Sequence, residues 1–309
     1  MPARGFDEST ARVVATSEGR VAWIEAGPPA GASPETPPLV LIHGFTGHRD
    51  DFVGVLEPLS KLGAGRRVIV PDLRGHGDSD ASPGTLGWCF EQLVNDLEAF
   101  LDHLGLDRID LLGHSMGGFV ALRFALAHPE RLRSLVFLCT GPEVPTELVK
   151  ESFMKAAAIA GDRGMAGLQA LLEKVGRAET SPLVAARAED YWRHHARRFD
   201  AMTPASYRGF GFALFESPSL VKRLSEIEQP TLVLVGEHDL EWLPGAGLFE
   251  ANLPDVHRDT LPDAGHHPHN ENPQAFLSAM ERHLVGLDTA SPEAHEVPSA
   301  ERANERKPT

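Results

Sequence analysis

Ile109-Asp-Leu-Leu-Gly-His-Ser-Met-Gly-Gly-Phe119 is the stretch on which the fold turns. An apolar run ends at Leu112, Ser115 stands between Gly113 and Gly117, and a helical run extends from Phe119 to His128. A strand that passes into a helix this abruptly strains the backbone at the middle residue, and the flanking glycines relieve the crowding. Such a turn lifts the Ser115 hydroxyl above the edge of a sheet. The bare pattern Gly-x-Ser-x-Gly is modest support. Its position between strand and helix is stronger.

Outward from this turn the same alternation recurs. Pro38-Leu-Val-Leu-Ile42, Arg67-Val-Ile-Val-Pro-Asp72, Ser134-Leu-Val-Phe-Leu-Cys139 and Thr231-Leu-Val-Leu-Val235 are continuous apolar runs, as expected of strands buried on both faces. Between them lie helical periods. The clearest places Leu86, Phe90, Leu93, Leu97, Leu101 and Leu104 at steps of three and four. Strands alternating with helices predict an α/β fold with a doubly wound, mostly parallel sheet. Two further strands are expected at 12–16 and 20–26, around the turn Glu18-Gly19, followed by a Pro-rich loop at 28–38.

The alternation fails once. From Glu143 to Gln229 no buried-strand run occurs. The expected organisation is a core over 1–142 and 230–286, a helical cap over 143–229, and a disordered tail over 287–309, which lacks aromatic residues.

Composition narrows the function. With 29 Lys and Arg against 44 Asp and Glu in 309 residues, the net charge is −15, which disfavours nucleic acid and anionic membrane surfaces. No apolar run approaches the roughly 18 residues of a spanning helix. Two cysteines, Cys89 and Cys139, make no disulfide framework, and the charged start Met1-Pro-Ala-Arg-Gly lacks an apolar leader. The expectation is a cytoplasmic protein, monomer or homodimer, acting on a small molecule without a cofactor.

A serine hydroxyl needs a base, itself oriented by an acid. Asp239, in Val235-Gly-Glu-His-Asp239, and His266, in Pro262-Asp-Ala-Gly-His-His-Pro-His269, follow successive strand runs, in the order Ser, Asp, His expected on this sheet. Glu237 and Glu143 are rival acids. His267 and His269 are read as orienting or exposed. His-His-x-His also suggests a metal site, but no Cys or acid stands at ligand spacing and Pro268 interrupts any aligning helix, so no metal is expected. An oxyanion hole would use the backbone N–H of Met116 and that of Phe45 in His43-Gly-Phe-Thr-Gly47, where Gly44 permits the turn. His43 is read first as a buried scaffold residue. His43, Gly44, His114, Trp192, Phe210 and Phe212 are taken as bordering the substrate.

Leu41-Ile-His-Gly-Phe45, Asp72-Leu-Arg-Gly-His-Gly-Asp-Ser79, Gly113-His-Ser-Met-Gly-Gly118, Gly236-Glu-His-Asp239 and Gly265-His266, with Asn272-Pro273 opening a last helix, resemble the α/β-hydrolase family, in family order from about Val21 to about Leu284. The resemblance implies Ser115 as nucleophile, Asp239 as acid, His266 as base, Phe45 and Met116 as oxyanion donors, and a lid over 143–229. It makes Asp72, Arg74, Gly75 and Gly77 a structural loop beneath the site.

Serine at 115 argues against dehalogenases and epoxide hydrolases, whose nucleophile there is aspartate. His114 departs from the Asn usual in C–C bond hydrolases, and Phe45 from the Trp of perhydrolases. The expected reaction is hydrolysis of a small or medium carboxylic ester through an acyl-enzyme. The alternatives are a pyruvate-eliminating lyase similar to the menaquinone-pathway enzyme, and a C–C hydrolase. Two expectations about the cap support the ester. Arg187, Arg193, Arg197, Arg198 and Arg208 are interleaved with Glu189, Asp190 and Asp200 on an outer face. Phe210, Phe212, Leu214 and Phe215 line an apolar pocket.

Overall fold

The computed structural model describes residues 11–28, 36–146, 148–176 and 188–289. The strands are β1 (Arg12–Ala15), β2 (Arg20–Ala26), β3 (Leu39–Ile42), β4 (Val68–Pro71), β5 (Ile109–His114), β6 (Leu132–Leu138), β7 (Thr231–Gly236) and β8 (Val256–Leu261). They form one sheet in the order β1-β2-β4-β3-β5-β6-β7-β8. The β1–β2 and β2–β4 pairs are antiparallel, and all later pairs are parallel. The apolar runs become β3 to β7, buried along almost their whole length. β1 and β8 are edges whose residues are mostly exposed or half-buried.

Because successive side chains leave a strand on opposite faces, each central strand feeds two cores. Val40 and Ile42 join one cluster with α2 (Phe90–His103), α3 (Met116–Ala127) and α7 (Leu243–Asn252), which contribute Leu93, Phe100, Phe119 and Phe249. Leu39 and Leu41 join the other, with α1 (Val53–Ser60) and α8 (Pro273–Thr289), which contribute Val55, Leu59, Phe276 and Met280. Each such fully buried side chain is worth about 1.5–3 kcal/mol over its exposed state, so these layers carry most of the stabilisation. The α2 period does not extend back to Leu86. Gly84 and Gly87 adopt left-handed φ values, the helix begins at Phe90, and Leu86 is exposed.

Between β6 and β7 lie α4 (Lys150–Gly176), broken at Gly164, then α5 (Ala188–Asp200) and α6 (Pro204–Phe215). Thr203 and Ser206 form a reciprocal capping box that starts α6. Phe153, Met165, Leu168, Phe199, Met202 and Tyr207 give this cap a small core of its own. Phe210 is fully buried against Trp88 and His76, so it fastens the cap to the core and does not line a pocket as expected from the sequence. Among the described residues no helix is long and apolar enough to cross a membrane.

The expected tail boundary at 287 also requires correction. Helix α8 runs through Thr289, because Asp288 is part of a charge network at the amino ends of the central strands. Arg133 donates to Asp288 at 2.7 Å and to Asp110 at 2.8 Å, Ser134 donates to Asp110 at 2.7 Å, and the fully buried Arg66 donates to both carboxylates. Residues 290–309 lie outside the described residues. Hydrogen bonds to charged groups are worth about 1.5–3 kcal/mol, so Asp288→Asn should lower stability by about 1–3 kcal/mol in guanidinium unfolding. A variant as stable as the parent would show that Asp110 alone neutralises both arginines.

Candidate active site

The strand-to-helix turn is a single residue. β5 ends at His114, α3 begins at Met116, and Ser115 between them has φ 52° and ψ −120°. Only a left-handed residue joins the two this tightly, and the approach leaves no room around it. A Cβ on Gly113 would meet Gly117 O at 2.4 Å, and one on Gly117 would meet Ile42 O at 2.5 Å. The Ser115 peptide is pinned by its own N–H to Leu138 O at 2.9 Å and by Thr140 Oγ1 donating to its carbonyl at 2.8 Å.

The loops after β7 and β8 meet the Ser115 side chain. The Ser115 hydroxyl donates to His266 Nε2 at 3.0 Å, and His266 Nδ1–H donates to Asp239 Oδ2 at 2.9 Å. Asp239 is buried in a turn closed by its N–H to Gly236 O. The rival Glu237 is exposed and accepts from the Asp263 amide instead. His114 Nε2–H donates to His266 O at 2.7 Å, so His114 supports the base loop from below. Glu271 accepts from the Gly265 amide, and Trp242 stacks on the His266 ring at 6.0 Å. The sequence reading missed both. Trp242 stands three residues beyond Asp239, which was an available signal; nothing marked Glu271.

The neighbouring imidazoles separate. His267 accepts from Arg198 Nη1 at 3.3 Å. His269 is not exposed: it is buried and stacked on Phe52 at 4.6 Å. Pro268 does not interrupt a helix but starts one turn, Pro268–Glu271, that carries His269 inward.

Across the site, the turn 44–47 closes through Gly47 N–H to Gly44 O at 3.0 Å, with Thr46 at φ 57°. A Cβ on Gly44 would lie 3.0 Å from Ser115 Cβ, so the turn rests directly on the serine. His43 is fully buried below it. Its Nε2 accepts from the Leu73 amide at 3.0 Å and its Nδ1–H donates to Gly44 O at 2.9 Å, which makes it a scaffold residue and not a substrate contact. Phe45 leaves the turn and packs on Tyr207 at 5.0 Å and Phe153 at 6.3 Å, so the cap meets the core at an aromatic cluster. Met116 supplies the first amide of α3, one of the four that no helix satisfies internally.

The cap residues expected from the sequence fall differently. Trp192 is buried inside the cap against Tyr191 and His195. Phe212 is half-buried beneath Lys150 and Arg208, on the outer side. Neither is brought to Ser115. Of the cap arginines, Arg193 and Arg208 are exposed, and Arg187 lies outside the described residues. Arg198 is not on an outer face. It is 7% exposed and reaches Thr46 O at 3.1 Å and Asp51 at 3.6 Å. Arg197 pairs with the buried Asp50. The alternation with acids concealed these two, because their partners are core aspartates far away in sequence.

A model of the alpha/beta hydrolase fold matches residues 37–273. A protein of Bacillus subtilis (strain 168), named as a candidate 2-succinyl-6-hydroxy-2,4-cyclohexadiene-1-carboxylate synthase, is 30% identical over 281 residues, 89% of this chain and 98% of that protein. A mouse (Mus musculus) sn-1-specific diacylglycerol lipase is 28% identical, covering 81% of each chain. A thermophilic esterase from Thermogutta terrifontis, solved with malate bound, superposes with a TM-score of 0.74 at 25% identity, covering 91% of this chain and all of that one.

Burial fixes how this region responds to acid. It holds His114 and His267 well below the usual 6.5 and brings His269 to about 3. Unfolded histidines titrate near 6.5, so below that pH the unfolded chain binds protons that the folded one refuses. This stability is complete above pH 6.5 and falls by up to about 1.4 kcal/mol per pH unit per histidine as pH drops. Asp72, pushed up to about 6 by burial, and Glu271 and Asp96, also raised by burial, oppose the trend, but His43, His48, His76, His195 and His283 are lowered by burial as well and outnumber them. The urea midpoint should therefore fall steeply from pH 6.5 to 5. A midpoint that holds or rises over that range would contradict the assignment of neutral buried imidazoles.

Proposed function

Because the chain belongs to the alpha/beta hydrolase family, we propose that it is a serine hydrolase cleaving a small or medium carboxylic ester through an acyl-enzyme. The observation that carries this is the relay Ser115 Oγ to His266 Nε2 at 3.0 Å and His266 Nδ1 to Asp239 at 2.9 Å, standing on a strained one-residue turn.

In this reading Ser115 attacks the ester carbonyl while His266 takes its proton. Asp239 holds the Nδ1–H tautomer and stabilises the imidazolium. The oxyanion is received by the N–H groups of Phe45 and Met116. The C–O bond to the alcohol breaks, and His266 returns the proton to the leaving alkoxide. Water then adds to the acyl carbonyl with His266 again as base, and the carboxylic acid leaves Ser115 unchanged. A neutral substrate suits the surroundings. Phe45, Phe153, Tyr207 and Trp242 are aromatic, and the Arg198 charge faces the Asp51 carboxylate. The mouse relative is named as a diacylglycerol lipase and the Thermogutta neighbour as an esterase.

A second reading, elimination of pyruvate by the same triad, is favoured by the Bacillus relative and by the inward position of Arg198. It is the weaker one, since Arg198 already serves Thr46 and Asp51. Two assays decide. p-Nitrophenyl esters from acetate to octanoate should be cleaved with a burst, neutral ahead of anionic, and a fluorophosphonate should label only the Ser115 peptide. Asp239→Asn should lose roughly 10⁴ in kcat, because the wrong tautomer is then held. Labelling at another residue sinks the nucleophile assignment. Pyruvate release from the menaquinone precursor with kcat/KM above about 10⁵ M⁻¹s⁻¹, a native rate, replaces the esterase by the lyase.

A further inference from the structure

We propose that Arg198 of the cap is a positioning residue for the oxyanion turn, tying that turn to the loop of the base so that seating of the cap sets turnover and not affinity. The proposal rests on the esterase reading for its rate consequences and on geometry alone for the positioning.

Three contacts converge on one buried side chain. The Arg198 guanidinium donates through Nε to Thr46 O at 3.1 Å and through Nη1 to His267 Nε2 at 3.3 Å, and its charge faces Asp51 at 3.6 Å. Thr46 and His267 belong to the two loops that flank Ser115. Helix α5 is the element that carries Arg198, and it is held down independently. One turn earlier His194 Nε2–H donates to Asp51 Oδ1 at 2.7 Å, and Arg197 pairs with Asp50. Asn270, just beyond the base loop, donates to Asp51 O at 3.0 Å, so the same carboxylate residue joins all three elements.

The turn needs such a hold. Thr46 is β-branched and has φ 57°, a conformation that persists only when its surroundings over-determine it. Gly47 N–H to Gly44 O closes the turn from within, and Arg198 fixes the Thr46 carbonyl from outside. Between these two anchors lies Phe45, whose amide would receive the oxyanion. A guanidinium suits the task because its donors lie in a rigid planar fork that holds two acceptors in fixed directions, whereas an ammonium is a compact charge with rotatable donors. His267 is a proper acceptor, since burial and the Arg198 charge keep it neutral.

The test separates positioning from substrate binding. On p-nitrophenyl butyrate, Arg198→Gln should lower kcat roughly 10- to 100-fold with KM within about threefold, as loss of alignment at an oxyanion donor does. Fluorophosphonate labelling, in which the phosphoryl oxygen gains negative charge in the same hole as Ser115 displaces fluoride, should slow in proportion. Arg198→Lys should lie between Gln and the parent, and the exposed Arg193→Gln should match the parent. A rise in KM at unchanged kcat would make Arg198 a substrate-binding residue, and unchanged kcat and KM would make it structural; either overturns the proposal. Should the Gln variant not fold, Arg198→Lys carries the same kcat-against-KM comparison. If the parent cleaves no ester and takes no phosphonate, the esterase reading fails alone. Amide exchange then still decides: faster exchange at Thr46 and Gly47 in the variant upholds the positioning, and unchanged protection overturns it.

Discussion

The carboxyl edge of the sheet depends on one close approach, that of the first turn of α3 to the ends of β3 and β5. Gly117 passes so near Ile42 O that a methyl group cannot be inserted, and Gly113 passes equally near Gly117. This contact forces Ser115 into its left-handed conformation and directs its hydroxyl out of the sheet. It also sets the turn 44–47 on the serine, since β3 and β5 are neighbours in register from Leu39–Asp110 to Ile42–Gly113. The loops after β7 and β8 then need only reach the same edge. Parallel strands guarantee that they do, because their carboxyl ends all lie on one side.

The core was legible because its signals are local. Continuous apolar runs, steps of three and four, and Gly at fixed offsets from Ser115 report strand, helix and turn directly. The order of Ser115, Asp239 and His266 along the chain was legible for the same reason, and the geometry puts these three side chains in hydrogen-bond contact. Edge strand β8 was harder, since only Leu261 of its six residues is buried and it has no continuous run.

What was not legible depends on partners far apart in sequence. A helix rich in Arg and Asp reads as solvated by its own i,i+3 and i,i+4 pairs, and Arg193 with Asp190 fits that reading. Arg198 is separated from Thr46 by 152 residues and reaches it because the fold buries its guanidinium against that turn. His269 resembled its neighbours until one helical turn rotated it onto Phe52. Phe210 and Phe212 are two residues apart on a helix, so they diverge by about 200° and do not share a wall. Composition marked the cap as aromatic but not which ring meets which surface.

The charge network below the sheet has a consequence for how the chain is assembled. Arg66 and Asp288 are 222 residues apart, and Arg66 has no exposed side-chain surface. During vectorial synthesis the strands that enclose Arg66 emerge long before the carboxylate that completes its neutralisation. Asp110 follows Arg66 by 44 residues and, once Arg133 has emerged, faces two arginines with a single negative charge. An uncompensated buried cation is costly, so the central strands cannot reach their final packing as a nascent half-domain. Closing so long a loop comes late. Helix α8 is therefore less an appendage than a keystone, and the arrival of its Asp288 is the event that permits the sheet to lock.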